Sequence, residues 1–182
     1  FLSLFEQCIR FKSERRRKTV TDFKSTEGAG YFVNTYADMI LRICFTYSLG
    51  KSDAQDICQE IYIKLFKGNY RFETQEMEKA FIAKSAANKC KDILKSGWFK
   101  RKRNLDELTD IPDSSGYDIE LKSAVEKLPI KYKEVVYFYY YEGYDINETA
   151  EIMGCSTGCI KKRLSRARKM LRKIVEVPYE TV

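Results

Sequence analysis

From Phe32 onward apolar side chains return every three or four positions, at Phe32, Tyr36, Ile40, Ile43 and Tyr47. That interval lines them along one side of an α-helix and predicts a helix packed on a single face, ended at Gly50. Ser52-Asp53-Ala54-Gln55 then reads as a capping box, in which the Ser52 hydroxyl takes an orphan amide and Gln55 reaches back to the cap. A second helix is predicted from there, with Ala54, Ile57, Cys58, Ile61 and Leu65 inward and Asp53, Asp56, Gln59, Glu60 and Ile63 on the other side. Lys67-Gly68-Asn69-Tyr70-Arg71-Phe72 breaks the pattern as a loop, and Thr74 caps a third helix running to about Lys95. On that helix Ile82, Ala86, Cys90 and Ile93 follow a core spacing, whereas Lys84, Asn88, Lys91 and Lys95 share a polar side that Trp98 to Arg103 extends with further positive charge.

The pattern then lapses. Between Asn104 and Leu121 the chain carries Asp106, Glu107, Asp110, Asp113, Asp118 and Glu120 without a Lys or Arg, and Pro112-Asp113-Ser114-Ser115-Gly116 reads as unstructured. Helical periodicity returns at Lys122, and Leu128-Pro129 separates a short helix from a longer one carrying Val135, Val136, Phe138 and Tyr139. Asp145-Ile146-Asn147-Glu148 is a cap signature, Ala150 and Ile152 are inward positions, and Gly154 stands where a helix-turn-helix needs a left-handed residue. The helix predicted from about Thr157 turns Ile160, Leu164, Ala167, Leu171 and Ile174 inward. It carries eight cations elsewhere: Lys161, Lys162, Arg163, Arg166, Arg168, Lys169, Arg172 and Lys173.

The expected architecture is therefore all-α, two small helical domains joined by a flexible acidic linker. A poorly ordered arm is expected over residues 1–28, a first domain over 29–98, the linker over 99–121, a second domain over 122–176 and a tail over 177–182.

Composition narrows the partners. The chain has 182 residues with 33 Lys and Arg against 26 Asp and Glu, a formal charge of +7 that points to a polyanion. Eight like charges on one helix repel one another unless such a polyanion offsets them, so the last helix reads as a DNA-recognition helix. No apolar run approaches the roughly 18 residues of a membrane span, so no membrane insertion is expected. Histidine is absent, which removes Ser-His and Cys-His nucleophile systems and the commonest zinc ligand. The six cysteines include no C-x-x-C pair and read as buried or free thiols in a reducing cytosol; Cys155 and Cys159, four apart, read as packing rather than as a metal site. No catalytic group, cofactor or metal is expected.

Two features keep alternatives open. Tyr70 and Phe72 beside Arg71 suit stacking on unpaired bases, but Phe72 suits equally a ring that anchors the loop to the core. Asp53, Asp56 and Glu60 favourably counter the helix dipole, and the same patch with Ile63 suits docking of a basic partner helix.

Asp53-Ala54-Gln55-Asp56-Ile57-Cys58-Gln59-Glu60 resembles the DAED-x-x-Q-E segment of the extracytoplasmic-function sigma factors of bacterial RNA polymerase. Phe81 to Asn88, followed by Asp92, resembles their W-L-x-x-I-A-x-N-x-x-x-D helix. Leu128-Pro129, Glu142-Gly143, Glu148 to Cys155 and Thr157 to Arg168 resemble their terminal domain. The resemblance covers about residues 31 to 175 in the family's domain order. It implies a cytoplasmic sigma factor that directs promoter-specific initiation with core RNA polymerase and has no chemistry of its own, with an anti-sigma factor as a further partner.

By the same resemblance Asp53, Asp56, Gln59 and Glu60 are expected to hold the clamp helices of the polymerase largest subunit. Gly68, Tyr70 and Phe72 are expected to capture a flipped minus-10 base, and Asn88, with Lys84, Lys91 and Lys95 beside it, to contact minus-10 DNA. Lys161, Lys162, Ser165 and Arg166 are expected to read the minus-35 element. Phe81 stands where the family usually has Trp, and Cys159-Ile160 where it usually has Thr-Val, which removes a hydroxyl suited to a phosphate. Two elements two helical turns apart demand a span of about 70 Å, and residues 96–121 extend to about 85 Å at about 3.4 Å each. The competing reading is a stand-alone helix-turn-helix regulator, with the first helices serving dimerisation or sensing.

Overall fold

The computed structural model describes residues 22–96 and 119–175. The arm up to residue 21, the Trp98–Arg103 basic run, the acidic segment as far as residue 118 and the tail lie outside the described residues. The described residues fall into two compact units, 22–96 in one and 119–175 in the other.

In the first unit α1 spans Thr26–Thr46, α2 Lys51–Lys67 and α3 Gln75–Lys95. The start of α1 departs from expectation, because Ser25 caps it, accepting from the Gly28 amide at 3.0 Å, and Phe23 is buried, both inside the stretch expected to be an unstructured arm. The reason is a close backbone approach: a Cβ on Gly28 would lie 2.0 Å from the Asp22 carbonyl oxygen, so contact is made by main chain and leaves no apolar stripe to read.

The joint between α1 and α2 also differs. The left-handed residue is Ser48 (φ 59°), with the Leu49 amide returning to the Cys44 carbonyl at 3.0 Å, while Gly50 is extended and caps the next helix. Asp53, not Gln55, closes the cap, its carboxylate accepting from the Gly50 amide at 3.2 Å. A charged acceptor three residues into the helix serves that amide and the helix dipole together.

The three helices enclose Phe32, Tyr36, Ile40 and Ile43 from α1, Ala54, Ile57, Ile61 and Leu65 from α2, and Ile82, Ala83, Ala86, Ala87 and Cys90 from α3. The run of alanines brings the α3 backbone close to its neighbours. Two expected core positions, Cys58 and Ile93, are only half-buried.

The second unit comprises α4 (Ile119–Glu126), α5 (Ile130–Val136), a π-helical turn over Tyr137–Tyr141, α6 (Ile146–Met153) and α7 (Thr157–Val175). α4 begins within the stretch expected to be linker. The longer α-helix expected after Pro129 instead widens, with the Glu142 amide donating to the Tyr137 carbonyl five residues back at 3.0 Å. Tyr137 and Phe138 are both buried in that turn. Ala124, Leu128, Tyr132, Val136, Ala167 and Leu171 form one core cluster, to which α7 is the common wall. Burying such a cluster contributes on the order of 1.5–3 kcal/mol per large side chain.

Candidate nucleic-acid interface

α6 and α7 form the helix-turn-helix. Asp145 caps α6, accepting from the Asn147 amide at 2.7 Å and the Glu148 amide at 2.9 Å, and the Glu148 carboxylate accepts from the Asp145 amide at 2.7 Å. Gly154 takes the left-handed conformation (φ 67°) that lets the chain turn, and the Ser156 hydroxyl accepts from the Cys159 amide at 3.2 Å to open α7. Ile160, Leu164, Ala167 and Leu171 are buried, so the opposite side of α7 is turned to solvent.

Lys161, Lys162, Ser165 and Arg166 all lie on that exposed side. The eight cations do not act alike: Arg163 is half-buried, and Arg168 donates to the Tyr140 hydroxyl at 3.4 Å, leaning back onto its own unit. The outward charge is thus concentrated at the N-terminal half of the helix and the Lys169, Arg172, Lys173 end.

In the first unit the loop after α2 builds a pocket of about 630 Å³ lined by Asp22, Phe23, Lys24, Leu65, Gly68, Asn69, Tyr70 and Arg71. A Cβ on Gly68 would meet the Tyr70 ring at 2.2 Å, so glycine is what lets the ring lie against the loop. Tyr70 sits 4.8 Å from Phe81, with the Lys64 ammonium 4.8 Å from the centroid of the Phe81 ring. Phe72 packs at 5.3 Å against Phe81 and edge-on to Phe23 at 6.4 Å, the contacts of a loop anchor. Gly68 and Tyr70 therefore come together at the pocket, with Phe72 packed against the rings beside them.

Asp22, Phe23 and Lys24, which sequence reasoning placed in the arm, complete that pocket; Lys24 donates to Asn69 at 3.1 Å. The signal that points to them is the Ser25 cap, with Glu27 in the first turn.

Asn88 and Lys95 are exposed on α3 and Lys84 and Lys91 half-buried, all on one side as expected, and Lys95 lies 3.9 Å from Asp92. On α2, Asp56, Gln59 and Glu60 are exposed, continued by the exposed apolar side chains of Ile63 and Phe66. Asp53 is half-buried at the cap, and Glu60 is paired with Lys89 of α3 at 2.5 Å, a partner the sequence pattern did not assign.

Behind these surfaces, the Tyr36 hydroxyl donates to the fully buried Glu78 at 2.7 Å and meets the Tyr31 hydroxyl at 3.3 Å. Burial, followed by the Glu78 and Tyr31 hydrogen bonds, pushes the Tyr36 phenol far above its ordinary range. Among the described residues no three potential ligands come together to hold a metal ion, and no helix is long and apolar enough to cross a membrane.

Two separate helical units, one ending in a basic helix-turn-helix and the other pairing an acidic helix with an aromatic pocket, are the arrangement of sigma-70 proteins. The sigma-70 region 2 model matches residues 32–100 and the sigma-70 region 4 model residues 118–171. The chain is 31% identical to the RNA polymerase sigma factor SigV of Bacillus subtilis (strain 168) over 136 residues, covering 72% of this chain and 81% of SigV. It is 24% identical to the ECF sigma factor SigW of the same organism, covering 78% and 85%. Among solved structures the fold resembles the sigma factor RpoE of Bartonella quintana, crystallised with the anti-sigma factor NepR, at a TM-score of 0.61, 21% identity and coverage of 84% of this chain and 99% of that one. The chain belongs to the sigma-70 family of RNA polymerase sigma factors, in its extracytoplasmic-function group.

Proposed function

We propose that this chain works as the promoter-recognition subunit of a bacterial RNA polymerase: it binds the core enzyme and directs initiation at promoters with minus-10 and minus-35 elements. The observation that carries this reading is that regions 2 and 4 match in family order and fall on the two separate units. A stand-alone helix-turn-helix regulator leaves the region 2 match unexplained.

The exposed Asp56, Gln59 and Glu60, with Asp53 at the helix start, offer carboxylates and an apolar margin (Ile63, Phe66) to the clamp helices of the polymerase largest subunit. The pocket at Gly68 and Tyr70, backed by Phe72, receives a minus-10 base drawn out of the stack, its unstacking cost of a few kcal/mol offset by aromatic contact. Asn88, Lys84, Lys91 and Lys95 hold the adjoining backbone. Lys161, Lys162, Ser165 and Arg166 enter the major groove at the minus-35 element, where lysine and arginine read guanine edges or hold phosphates.

Nucleotide chemistry stays with the polymerase, and the site of action is the cytoplasm, where that enzyme works. The likeness to a sigma factor held by an anti-sigma protein supports regulation by such a partner. Run-off transcription with core polymerase on a genomic library tests the whole reading. Specific starts sharing two spaced elements are expected, and a protein that binds core yet confers no specific initiation refutes it.

A further inference from the structure

Lys24 stands outside residues 32–100, the stretch that the sigma-70 region 2 model covers, yet its ammonium reaches the loop beside the aromatic pocket. It donates to Asn69 Oδ1 at 3.1 Å across 45 positions of chain, and both residues line the pocket with Asp22, Gly68, Tyr70 and Arg71.

An ammonium carries three donors and no acceptor, so what it holds must be the amide oxygen of Asn69. That settles which way the amide points. The oxygen faces Lys24, and the nitrogen with its two N–H donors is left for a guest in the pocket. A free asparagine offers both a donor and an acceptor and turns to suit either kind of base edge. Held by Lys24, it presents its donors.

Lys24 is itself firmly placed. Its own amide donates to Asp22 Oδ1 at 3.0 Å, the Ser25 hydroxyl donates to the Asp22 carbonyl at 2.9 Å, and the Tyr62 hydroxyl on α2 donates to the Phe23 carbonyl at 3.2 Å. Phe23 is buried, edge-on to Phe72, and the close approach of Gly28 to the Asp22 carbonyl fixes the same segment against α1. The loop is fixed from its other side by the Tyr70 ring, which lies against Gly68 and Phe81. A polar link between two such platforms has little freedom left to lose when a base arrives, which is what discrimination between bases requires.

We propose that Lys24 is a positioning residue for base selection: by holding the oxygen of Asn69 it makes the pocket prefer a flipped base whose edge presents a carbonyl or ring-nitrogen acceptor to that amide, and reject one that presents an amino group there. Lys24 acts on the base through Asn69. This rests on the reading of the pocket as the receptor for a minus-10 base.

The test uses holoenzyme assembled from core polymerase and the full chain. It is titrated with labelled single strands carrying a minus-10 element from a promoter at which it starts transcription, each position substituted in turn with all four bases. Wild type is expected to separate accepted from rejected bases by about tenfold or more, the equivalent of one base-edge contact. Asn69→Ala should abolish that preference at one position, which marks the captured base. There Lys24→Ala should shrink the ratio to about threefold or less, chiefly by admitting the rejected base. Lys24→Arg, which also donates and cannot accept, should restore it. Adding Lys24→Ala to Asn69→Ala should change nothing further. Lys24 and Asn69 are both exposed, so the core is untouched and thermal midpoints should hold.

A Lys24 that serves only as a cation beside the backbone gives a different result: Lys24→Ala then weakens all strands alike and lowers the salt slope by about 0.7. That outcome overturns the proposal, as does an unaltered base preference in Lys24→Ala or a preference that Asn69→Ala leaves intact at every position. Wild-type holoenzyme that holds none of the strands refutes the base-capture reading itself, and the proposal with it.

Discussion

Lys89 on α3 holds the carboxylate of Glu60 on α2 at 2.5 Å, with both side chains about half exposed (48% and 54%). The pair ties the helix proposed to meet DNA to the helix proposed to meet polymerase, and it occupies one of the four residues assigned to the polymerase contact. At that exposure its direct worth to folding is about 1 kcal/mol or less. Lys89→Ala should therefore leave the thermal midpoint almost unchanged while freeing Glu60 for a basic partner. Titration of labelled protein with core polymerase should show unchanged or tighter binding. Charge reversal at Asp56 and Glu60 together should abolish co-purification with core, and retained co-purification would refute the polymerase-binding assignment.

Gly68 and Tyr70 form the second coupled pair. Because a Cβ on Gly68 falls 2.2 Å from the Tyr70 ring, Gly68→Ala should push the ring off Phe81 and reshape the pocket without touching the three-helix core. Tyr70→Ala removes the ring itself, and base–aromatic stacking is worth about 1–3 kcal/mol. Both variants should bind core normally and fail at strand opening, with permanganate reactivity of minus-10 thymines reduced about tenfold or more on that scale. Normal opening by Tyr70→Ala would remove Tyr70 from the base-capture role.

What was legible in the sequence was what local chemistry decides. Thr74, the Asp145–Glu148 box and the left-handed Gly154 are caps and turns that act within four residues of themselves, and each stands as expected. The outward placement of Lys161, Lys162, Ser165 and Arg166 follows from the helical period alone. What was hidden depends on contacts distant in the chain. Phe23 and Lys24 join the Gly68–Arg71 loop across more than 40 positions, and Glu60 meets Lys89 across two helices. The capping box expected at Ser52 and Gln55 lies at Gly50 and Asp53 because the helix starts at Lys51, which leaves Ser52 and Gln55 inside its first turns.

The Tyr36–Glu78 hydrogen bond at 2.7 Å predicts an alkaline limit to stability. The folded phenol titrates well above the unfolded value of about 10, so the folded state keeps a proton that the unfolded state gives up. Its stabilisation is complete below about pH 10 and is lost as the pH rises from there toward the folded value. Urea midpoints measured between pH 7 and 11 should fall above about pH 10 in the wild type. Tyr36→Phe removes a hydrogen bond to a carboxylate, about 1.5–3 kcal/mol, and should flatten much of that decline. An equally steep alkaline loss in Tyr36→Phe would assign it to the other tyrosines.

Lys162 and Arg166 stand one turn apart on the exposed side of α7, and the two ways in which such residues hold DNA leave different signatures. A base-edge contact is worth about 1–3 kcal/mol for the right base and nothing for the wrong one, whereas a phosphate contact weakens all sequences alike and lowers the salt slope by about one. Arg166→Ala and Lys162→Ala should both reduce promoter-specific transcription while leaving core binding intact, since neither lies on the unit that carries Asp56 and Glu60. Arg168→Ala is the internal control. Its guanidinium leans on the Tyr140 hydroxyl at 3.4 Å, so it should act through stability and not alter base preference. Footprints over the upstream element at several salt concentrations separate these cases. Protection that survives both Lys162→Ala and Arg166→Ala would mean that this side of α7 does not face the groove, and the recognition surface would then have to lie nearer Lys169, Arg172 and Lys173.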